Sequence, residues 1–74
     1  MNEQKYLHEL CEAQSFLKNY IRSHIAGEHN VEDILQDTNI KIMEKYSSYK
    51  DKGKFTLWAK TFAYWIIRAY KKKA

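Results

Sequence analysis

Apolar residues recur at three- and four-residue spacing along much of the chain, a pattern typical of helices that bury one face. The first block runs from about Glu3 to Ile25, and its apolar stripe is Leu7, Leu10, Cys11, Leu17, Ile21 and Ile25. The pattern fits one long helix or two pieces broken near Gln14–Ser15. We expect Ala26-Gly27 to end this block, because glycine readily adopts the left-handed conformation that closes helices.

A second helix is predicted to begin after Asn30, which is a good N-cap residue. Glu32 and Asp33 would then lie against the positive end of the helix dipole. The main apolar stripe of this helix is Val31, Ile34, Leu35, Thr38, Ile42 and Tyr46. A second, narrower and half-polar face contains Gln36, Asn39, Ile40 and Met43. The helix is expected to end near Ser47–Ser48.

A lysine-rich connector is predicted from about Ser47 to Lys54, and a third helix from about Thr56 to the C-terminal lysines. The predicted core stripe of this helix is Phe55, Ala59, Phe62, Ile66 and Ala69 or Tyr70. An opposite stripe, at four- and three-residue steps, is Lys60, Tyr64, Arg68 and Lys71. Trp58 and Trp65 are seven residues apart, so they lie two turns apart on one flank between the stripes.

The composition favours a helical fold and a cytoplasmic protein. The 74 residues include no proline, two glycines and 45% apolar residues, whereas β-sandwiches and barrels need many more turn residues. We therefore expect one domain over residues 1–74, an all-α bundle of three or four helices. A single cysteine, a polar N-terminus and the lack of long apolar runs predict a cytoplasmic protein without a membrane span.

Charge is divided unequally along the chain. Residues 1–37 contain seven acidic and three basic residues, and residues 38–74 contain two acidic and ten basic ones. The two parts therefore carry −4 and +8, which gives the net charge of +4. An acidic part and a basic, aromatic part indicate two chemically different partners, one of which is expected to be nucleic acid.

Two surfaces are candidates for these contacts, and each has a plain structural interpretation beside the functional one. The cations of the third helix match the spacing of a phosphate backbone, and the interleaved rings offer faces on which unstacked bases can stack. Alternatively, the tryptophans are core residues and the terminal lysines only complement the helix dipole. The half-polar face of the second helix resembles the rim of a protein interface, or is simply a solvated face.

The sequence offers no grouping for catalysis or metal binding. His8 and Cys11 are three residues apart, but a metal site needs more ligands than these two. No Ser/His/Asp grouping and no glycine-rich nucleotide-binding loop is present. We therefore predict a protein that is not an enzyme and needs no cofactor or metal.

Two segments together resemble a known family. Residues 31–37 read Val-Glu-Asp-Ile-Leu-Gln-Asp, and residues 55–58 read Phe-Thr-Leu-Trp ahead of a basic helix end. This combination is similar to region 2 of bacterial sigma-70-type factors, most closely the small extracytoplasmic-function group. The likeness extends without gaps from Gly27 to about Lys72, and residues 39–43 also resemble the matching stretch of housekeeping sigma factors.

The resemblance implies two partners, RNA polymerase and promoter DNA. The acidic helix would dock on the clamp helices of the polymerase β′ subunit through Asp33, Gln36, Asp37, Asn39 and Met43. The aromatic helix and the loop before it would capture flipped bases on the non-template strand of the promoter −10 element. That role would fall to Phe55, Trp58, Lys60, Thr61, Tyr64, Trp65, Arg68 and Lys71. The resemblance also admits an anti-sigma factor as a partner.

The chain departs from the family pattern in three ways. Trp65 stands where the small sigma factors often carry asparagine near the flipped-base pocket, and Asn39 replaces a usual aromatic residue. The chain also ends at Ala74 without a second helical domain for the −35 element. Either it is a fragment or it works with one contact region. Two further interpretations stay open: a sigma-like module that occupies the polymerase clamp, and a basic helical domain that binds duplex phosphates.

Overall fold

The computed structural model describes residues 2–49 and 53–73, which fold as a bundle of α-helices. In chain order these are α1 (Glu3–Glu12), α2 (Gln14–Arg22), α3 (Glu28–Glu44) and α4 (Phe55–Lys73), with a short 3-10 helix over Tyr46–Ser48. These residues contain four α-helices and no strand, so the predicted all-α class is confirmed. None of these helices is both long enough and apolar enough to cross a membrane.

The first block is two helices, and its buried stripe differs from the predicted one. The break lies at Ala13, which is only 3% exposed. The buried residues of the block are Tyr6, Leu10, Ala13, Leu17, Ile21 and Ile25. Leu7 and Cys11 were expected in the core and are exposed. The stripe passes through Tyr6 instead, because the hydroxyl of Tyr6 donates a hydrogen bond to the carbonyl of Ile42, which satisfies a polar group that burial would otherwise leave unpaired.

The end of α2 and the start of α3 both differ from the predicted helix boundaries. α2 ends at Arg22, ahead of the predicted end, and Gly27 precedes α3 with a φ of +91°. A left-handed residue at this position favours glycine, so Gly27 serves the start of α3 and does not close α2. Asn30 was expected to be the N-cap, but it lies inside α3 and its Nδ2 donates to the carbonyl of Ala26 at 3.2 Å.

Ion pairs join α2 to the first turns of α3. Lys18 Nζ lies 2.5 Å from Glu32 Oε1 and 3.5 Å from Glu28 Oε1. Arg22 Nη2 lies 2.8 Å from the same Glu28 oxygen. The hydrogen bond from Arg22 lowers the pKa of Glu28 below its usual value. Glu32, which the sequence assigns to the helix dipole, therefore also fixes α3 against α2, together with Glu28.

The core is built from one stripe on each long helix. The predicted stripe of α3 is confirmed, since Val31, Ile34, Leu35, Thr38 and Ile42 are buried and Tyr46 is half-buried. In α4 the buried residues are Phe55, Ala59, Ala63 and Ile67. Phe62 and Ile66 were predicted in this stripe and are half-buried, while Ala69 and Tyr70 are exposed. The true stripe runs through two alanines, because small side chains let a helix approach its neighbours closely in a packed core.

An aromatic cluster holds the start of α4 against α1. The cluster comprises Tyr6, Tyr46, Tyr49, Phe55, Trp58 and Phe62, and neighbouring rings meet edge-on or tilted. Burial is the main reason that the pKa of Tyr6 rises to about 12. α4 begins at Phe55, one residue before the predicted start at Thr56. The predicted connector lysines Lys50 and Lys52 lie outside the described residues.

Candidate functional site

The side of α3 that points away from the core carries the residues predicted to bind a protein partner. We call this the α3 outer face and define it by Asp33, Gln36, Asp37, Asn39, Ile40 and Met43. At 100° per residue, Gln36 and Ile40 lie at its centre, the two aspartates on one edge, and Asn39 and Met43 on the other. Ile40 is 49% exposed and Met43 55%, so two large apolar side chains lie among polar ones.

Most polar groups of the α3 outer face are available for contacts with another molecule. Among the described residues, the side chains of Gln36 and Asp37 have no hydrogen bond or ion pair, and both are exposed. Asp33 Oδ2 lies 3.4 Å from His29 Nε2, and both side chains are well exposed. An exposed pair of this kind contributes little to stability, so Asp33 can exchange this contact for a stronger one.

Asn39 differs from its neighbours because its side-chain amide is already paired. Asn39 Nδ2 donates to Gln14 Oε1 at 2.8 Å, and Gln14 Nε2 donates back to Asn39 Oδ1 at 2.9 Å. The same Gln14 nitrogen lies 3.0 Å from the carbonyl of Leu10. This amide pair joins α2 to α3 and, together with Ile40 and Met43, lines a groove of about 370 Å³.

The predicted DNA-contacting aromatics divide into two groups. Phe55 is 4% exposed and belongs to the core. Trp58 is half-buried, and the centroid of its ring lies 4.7 Å from that of Tyr49 and 4.9 Å from that of Phe62. Phe55 is therefore a core residue, and Trp58 packs against the core. Their contact with DNA stays a prediction, and Phe55 offers almost no surface for it.

Tyr64, Trp65 and Arg68 form an exposed group on α4. Tyr64 is 41% exposed and Trp65 58%, and their ring centroids lie 5.2 Å apart at an interplanar angle of 78°. Arg68 Nη1 donates to the Tyr64 hydroxyl at 3.1 Å. The Cζ atom of Arg68 lies 5.7 Å from the Tyr64 centroid and 5.5 Å from the Trp65 centroid. A cation held over two exposed rings provides both charge and stacking surface.

The remaining predicted residues of α4 are spread around this group. Lys60 is half-buried, and its Nζ lies 5.4 Å from the ring centroid of Tyr20 on α2. The hydroxyl of Thr61 donates to the carbonyl of Leu57 at 3.2 Å. Lys71 is exposed near the end of the helix. The arrangement places one cation beside α2 and the others around the exposed rings.

Sequence reasoning overlooked three residues at these surfaces. Gln14 was considered only as a helix break, and its pairing with a residue 25 positions away has no local signal. Leu57 is 54% exposed one turn before Thr61, and its position outside both the core stripe and the opposite cationic stripe of α4 is the signal that would have found it. Lys72 lines a depression beside Trp65. No group of three His, Cys, Asp or Glu side chains that could hold a metal ion occurs in residues 2–49 and 53–73.

The described residues form a small all-α bundle that exposes two chemically unlike surfaces. The sequence model of Sigma-70 region 2 matches residues 11–73 of the 74-residue chain. The chain belongs to the Sigma-70 region 2 family, whose members are sigma factor regions that act in promoter recognition and transcription initiation and are not enzymes. No curated protein and no solved structure matches the chain. The extracytoplasmic-function branch stays a prediction.

Proposed function

We propose that this domain binds core RNA polymerase through the α3 outer face and engages the opened promoter −10 element through the exposed rings and cations of α4. The observation that supports this most strongly is the presence of two exposed surfaces of opposite chemistry on adjacent helices. One is acidic and amide-bearing with embedded apolar side chains, and the other is aromatic and cationic.

The α3 outer face has the composition expected of a protein interface. Apolar side chains at the centre of a contact contribute most of the binding, and polar groups at its rim fix the register. Ile40 and Met43 supply the apolar part, while Gln36 and Asp37 supply polar groups without intramolecular partners. In this proposal the partner is the pair of clamp helices of the polymerase β′ subunit. An anti-sigma factor that covers the same face competes with polymerase, and both events take place in the cytoplasm.

The exposed rings of α4 supply a means of strand separation without nucleotide hydrolysis. Unstacking a base costs a few kcal/mol, and stacking on an aromatic side chain returns about 1–3 kcal/mol per base. Tyr64 and Trp65 present two such rings in edge-to-face contact, with Arg68 held over both. These rings bind only bases that have left the duplex, so binding favours the melted non-template strand. Arg68 and Lys71 contribute contacts to its phosphates.

Capture of the chain by an immobilised coiled coil of the polymerase β′ subunit tests the first contact. Gln36→Ala removes a side chain from the centre of the face and should weaken capture by about tenfold or more. Asp37→Asn removes a charge at the edge of the face and should weaken capture to a smaller extent. Glu12→Gln is the charge-matched control, since it removes one negative charge from an exposed side chain on α1. Equal capture of all four proteins would contradict the polymerase contact.

The second contact is tested with the chain bound to core polymerase. A labelled A/T-rich non-template single strand should bind better than the same sequence as a duplex, and Tyr64→Ala should reduce that preference. Tyr70→Ala is the control, because Tyr70 is also partly exposed on α4 but lies outside the ring pair. A preference that survives Tyr64→Ala and Trp65→Ala alike would contradict the role assigned to these rings.

One observation favours a second candidate function. Phe55 and Trp58, two of the four aromatic residues predicted to contact DNA, pack in the aromatic cluster. A domain that occupies the polymerase clamp without opening promoter DNA needs only the α3 outer face. This alternative predicts tight capture by the β′ coiled coil, sensitivity to Asp37→Asn, and equal binding of single and double strands by the polymerase complex.

A further inference from the structure

The outer sides of α3 and α4 carry opposite charges that do not meet within the chain. α3 contains five acidic residues and one basic residue, and α4 contains five basic residues and no acidic one. Across residues 2–49 and 53–73, no ion pair joins these two helices. In that same part of the chain Asp37 makes no ion pair, and Asp33 meets only the exposed His29. These charges are therefore available to another molecule.

One line of exposed side chains on each helix has the same spacing. On α3, four such residues follow one another at steps of four, three and four: Asp33, Asp37, Ile40 and Glu44. On α4, four exposed residues have the same steps: Thr61, Trp65, Arg68 and Lys72. Steps of four and three keep side chains on one side of a helix, and helices that pack lengthwise meet along lines with this spacing. We call these two lines the α3 seam and the α4 seam.

The two seams are complementary when a second copy of the chain lies antiparallel on the first. Each residue of the α3 seam then faces one residue of the α4 seam, in the pairs Asp33–Lys72, Asp37–Arg68, Ile40–Trp65 and Glu44–Thr61. Two pairs join opposite charges, one joins two exposed apolar side chains, and one joins two polar side chains. A parallel alignment would keep a single charge pair, Glu44 with Lys72, and would place Ile40 against Arg68.

We propose that the free protein associates with a second copy of itself, with the α3 seam of one copy packed antiparallel on the α4 seam of the other. Both seams span about 17 Å, so they match in length. Arg68 uses one N–H for the Tyr64 hydroxyl, and its other N–H groups remain for Asp37 of the second copy. A contact between one pair of helices is smaller than the roughly 1,200–2,000 Å² of stable interfaces, so the association is weak and reversible.

This contact covers both surfaces that the proposed function requires. The α3 seam shares Asp33, Asp37 and Ile40 with the α3 outer face, and the α4 seam shares Trp65 and Arg68 with the exposed group of α4. Association with a second copy therefore competes with binding to polymerase and to DNA. This consequence rests on the proposed function, whereas the association itself requires neither partner.

Sedimentation equilibrium of the whole 74-residue chain, at about 10 μM to 1 mM, tests the association. About 0.1 M salt is suitable, since a Debye length of about 10 Å preserves attraction within the contact and screens the rest of the two copies. The average mass of the parent chain should rise with concentration above that of a single chain. Asp37→Arg and Arg68→Asp each place like charges opposite one another, and each should weaken association by about tenfold or more.

An equimolar mixture of the Asp37→Arg and Arg68→Asp chains gives the decisive result. In the mixture, Arg68 of one chain meets Asp37 of the other, and the two introduced side chains also have opposite charges. Association should therefore return to within about threefold of the parent. Only a contact between these two positions on different copies predicts loss in each variant and recovery in the mixture.

Matched controls separate the seams from general effects of charge and hydrophobicity. Glu12→Arg changes the net charge as Asp37→Arg does, at an exposed position of α1, and should associate like the parent. Ile40→Ser should weaken association by about threefold or more, whereas Leu7→Ser, at an exposed apolar residue of α1, should leave it unchanged. Far-UV circular dichroism verifies that every variant is folded, as expected from the exposure of each changed residue.

Three results would overturn the proposal: a parent chain that stays single at about 1 mM, charge variants that associate as the parent does, or a mixture that stays dissociated. None of them bears on the polymerase contact, which capture by the β′ coiled coil decides independently. Failed capture would likewise leave the self-association standing. If the copies associate but an excess of the β′ coiled coil does not separate them, the proposed competition with polymerase is wrong.

Discussion

The amide pair between Gln14 and Asn39 gives the sharpest test of how the α3 outer face is held. Asn39 was predicted from the family resemblance to contact polymerase, yet both of its amide atoms are hydrogen-bonded to Gln14. We predict that Asn39→Ala acts mainly on stability. It should affect capture by the β′ coiled coil less than Gln36→Ala does.

The size of the stability effect follows from the hydrogen bonds lost. Each net hydrogen bond contributes about 0.5–1.5 kcal/mol, so loss of the two bonds between the amides should cost about 1–3 kcal/mol. Gln14→Ala should cost at least as much as Asn39→Ala, because Gln14 Nε2 also bonds to the carbonyl of Leu10. In a domain of this size, a loss of 1 kcal/mol lowers Tm by about 4–8 °C.

Urea denaturation followed by far-UV circular dichroism measures these losses for each single variant and for the double variant. Both single variants lose the same two bonds, so the double variant should lose about 1–3 kcal/mol less than the sum of the single losses. Asn19→Ala is the matched control, since its exposed amide makes only a 3.4 Å contact with Arg22. Strictly additive losses would refute the reasoning, because they would mean that the amides do not stabilise one another.

Three further predictions concern the core and its turns. In the unfolded chain Tyr6 ionises near pH 10, whereas burial raises its pKa in the folded protein to about 12. The free energy of unfolding should therefore fall as the pH rises from 10 to 12, and Tyr6→Phe should make this fall smaller. The slope of the unfolding free energy against pH measures this effect. An unchanged slope in Tyr6→Phe would mean that Tyr6 does not cause the pH dependence. Gly27→Ala should destabilise the protein by about 1 kcal/mol or more, and by more than Gly53→Ala does. Both glycines have a positive φ, but an added Cβ meets a close neighbour only at Gly27. Equal losses of stability would mean that the backbone conformation alone causes the effect. Ala63→Leu should lower the free energy of unfolding by about 1–3 kcal/mol, because it overpacks a fully buried position. Ala69→Leu should change it by less than about 0.5 kcal/mol, because that residue is exposed. Thermal melts compare the two variants, and an Ala63→Leu protein as stable as the parent would contradict the close helix packing.

Sequence reasoning predicted α3 well because one pattern dominates it. Its branched and leucine side chains recur at strict three- and four-residue spacing, and the residues between them are polar, so the buried stripe and the α3 outer face are both visible in the sequence. In α1 the choice was ambiguous, since Tyr6 and Leu7 are adjacent and both are large. The hydrogen bond that buries Tyr6 reaches a carbonyl 36 residues away, and no local pattern encodes it.

The aromatic helix was harder to interpret for a different reason. Most of the circumference of α4 is apolar or aromatic, so periodicity alone does not say which rings are buried. The stripe was assigned through the larger Phe62 and Ile66, but small Ala59 and Ala63 lie deepest. The exposed candidates Tyr64 and Trp65 were nevertheless on the predicted list. Their arrangement around Arg68 is a tertiary fact that only coordinates provide.

The aromatic cluster has a consequence for the order in which the domain opens. It joins α1 to the beginning of α4 across a wide separation in sequence, whereas α2 and α3 are connected by a short turn and bound by ion pairs close to it. Contacts between residues close in sequence form early in folding, because bringing distant segments together first costs loop-closure entropy. Partial unfolding should therefore release α1 from α4 while the α2–α3 hairpin persists. Hydrogen exchange would then show faster amide exchange in α1 than in the centre of α3.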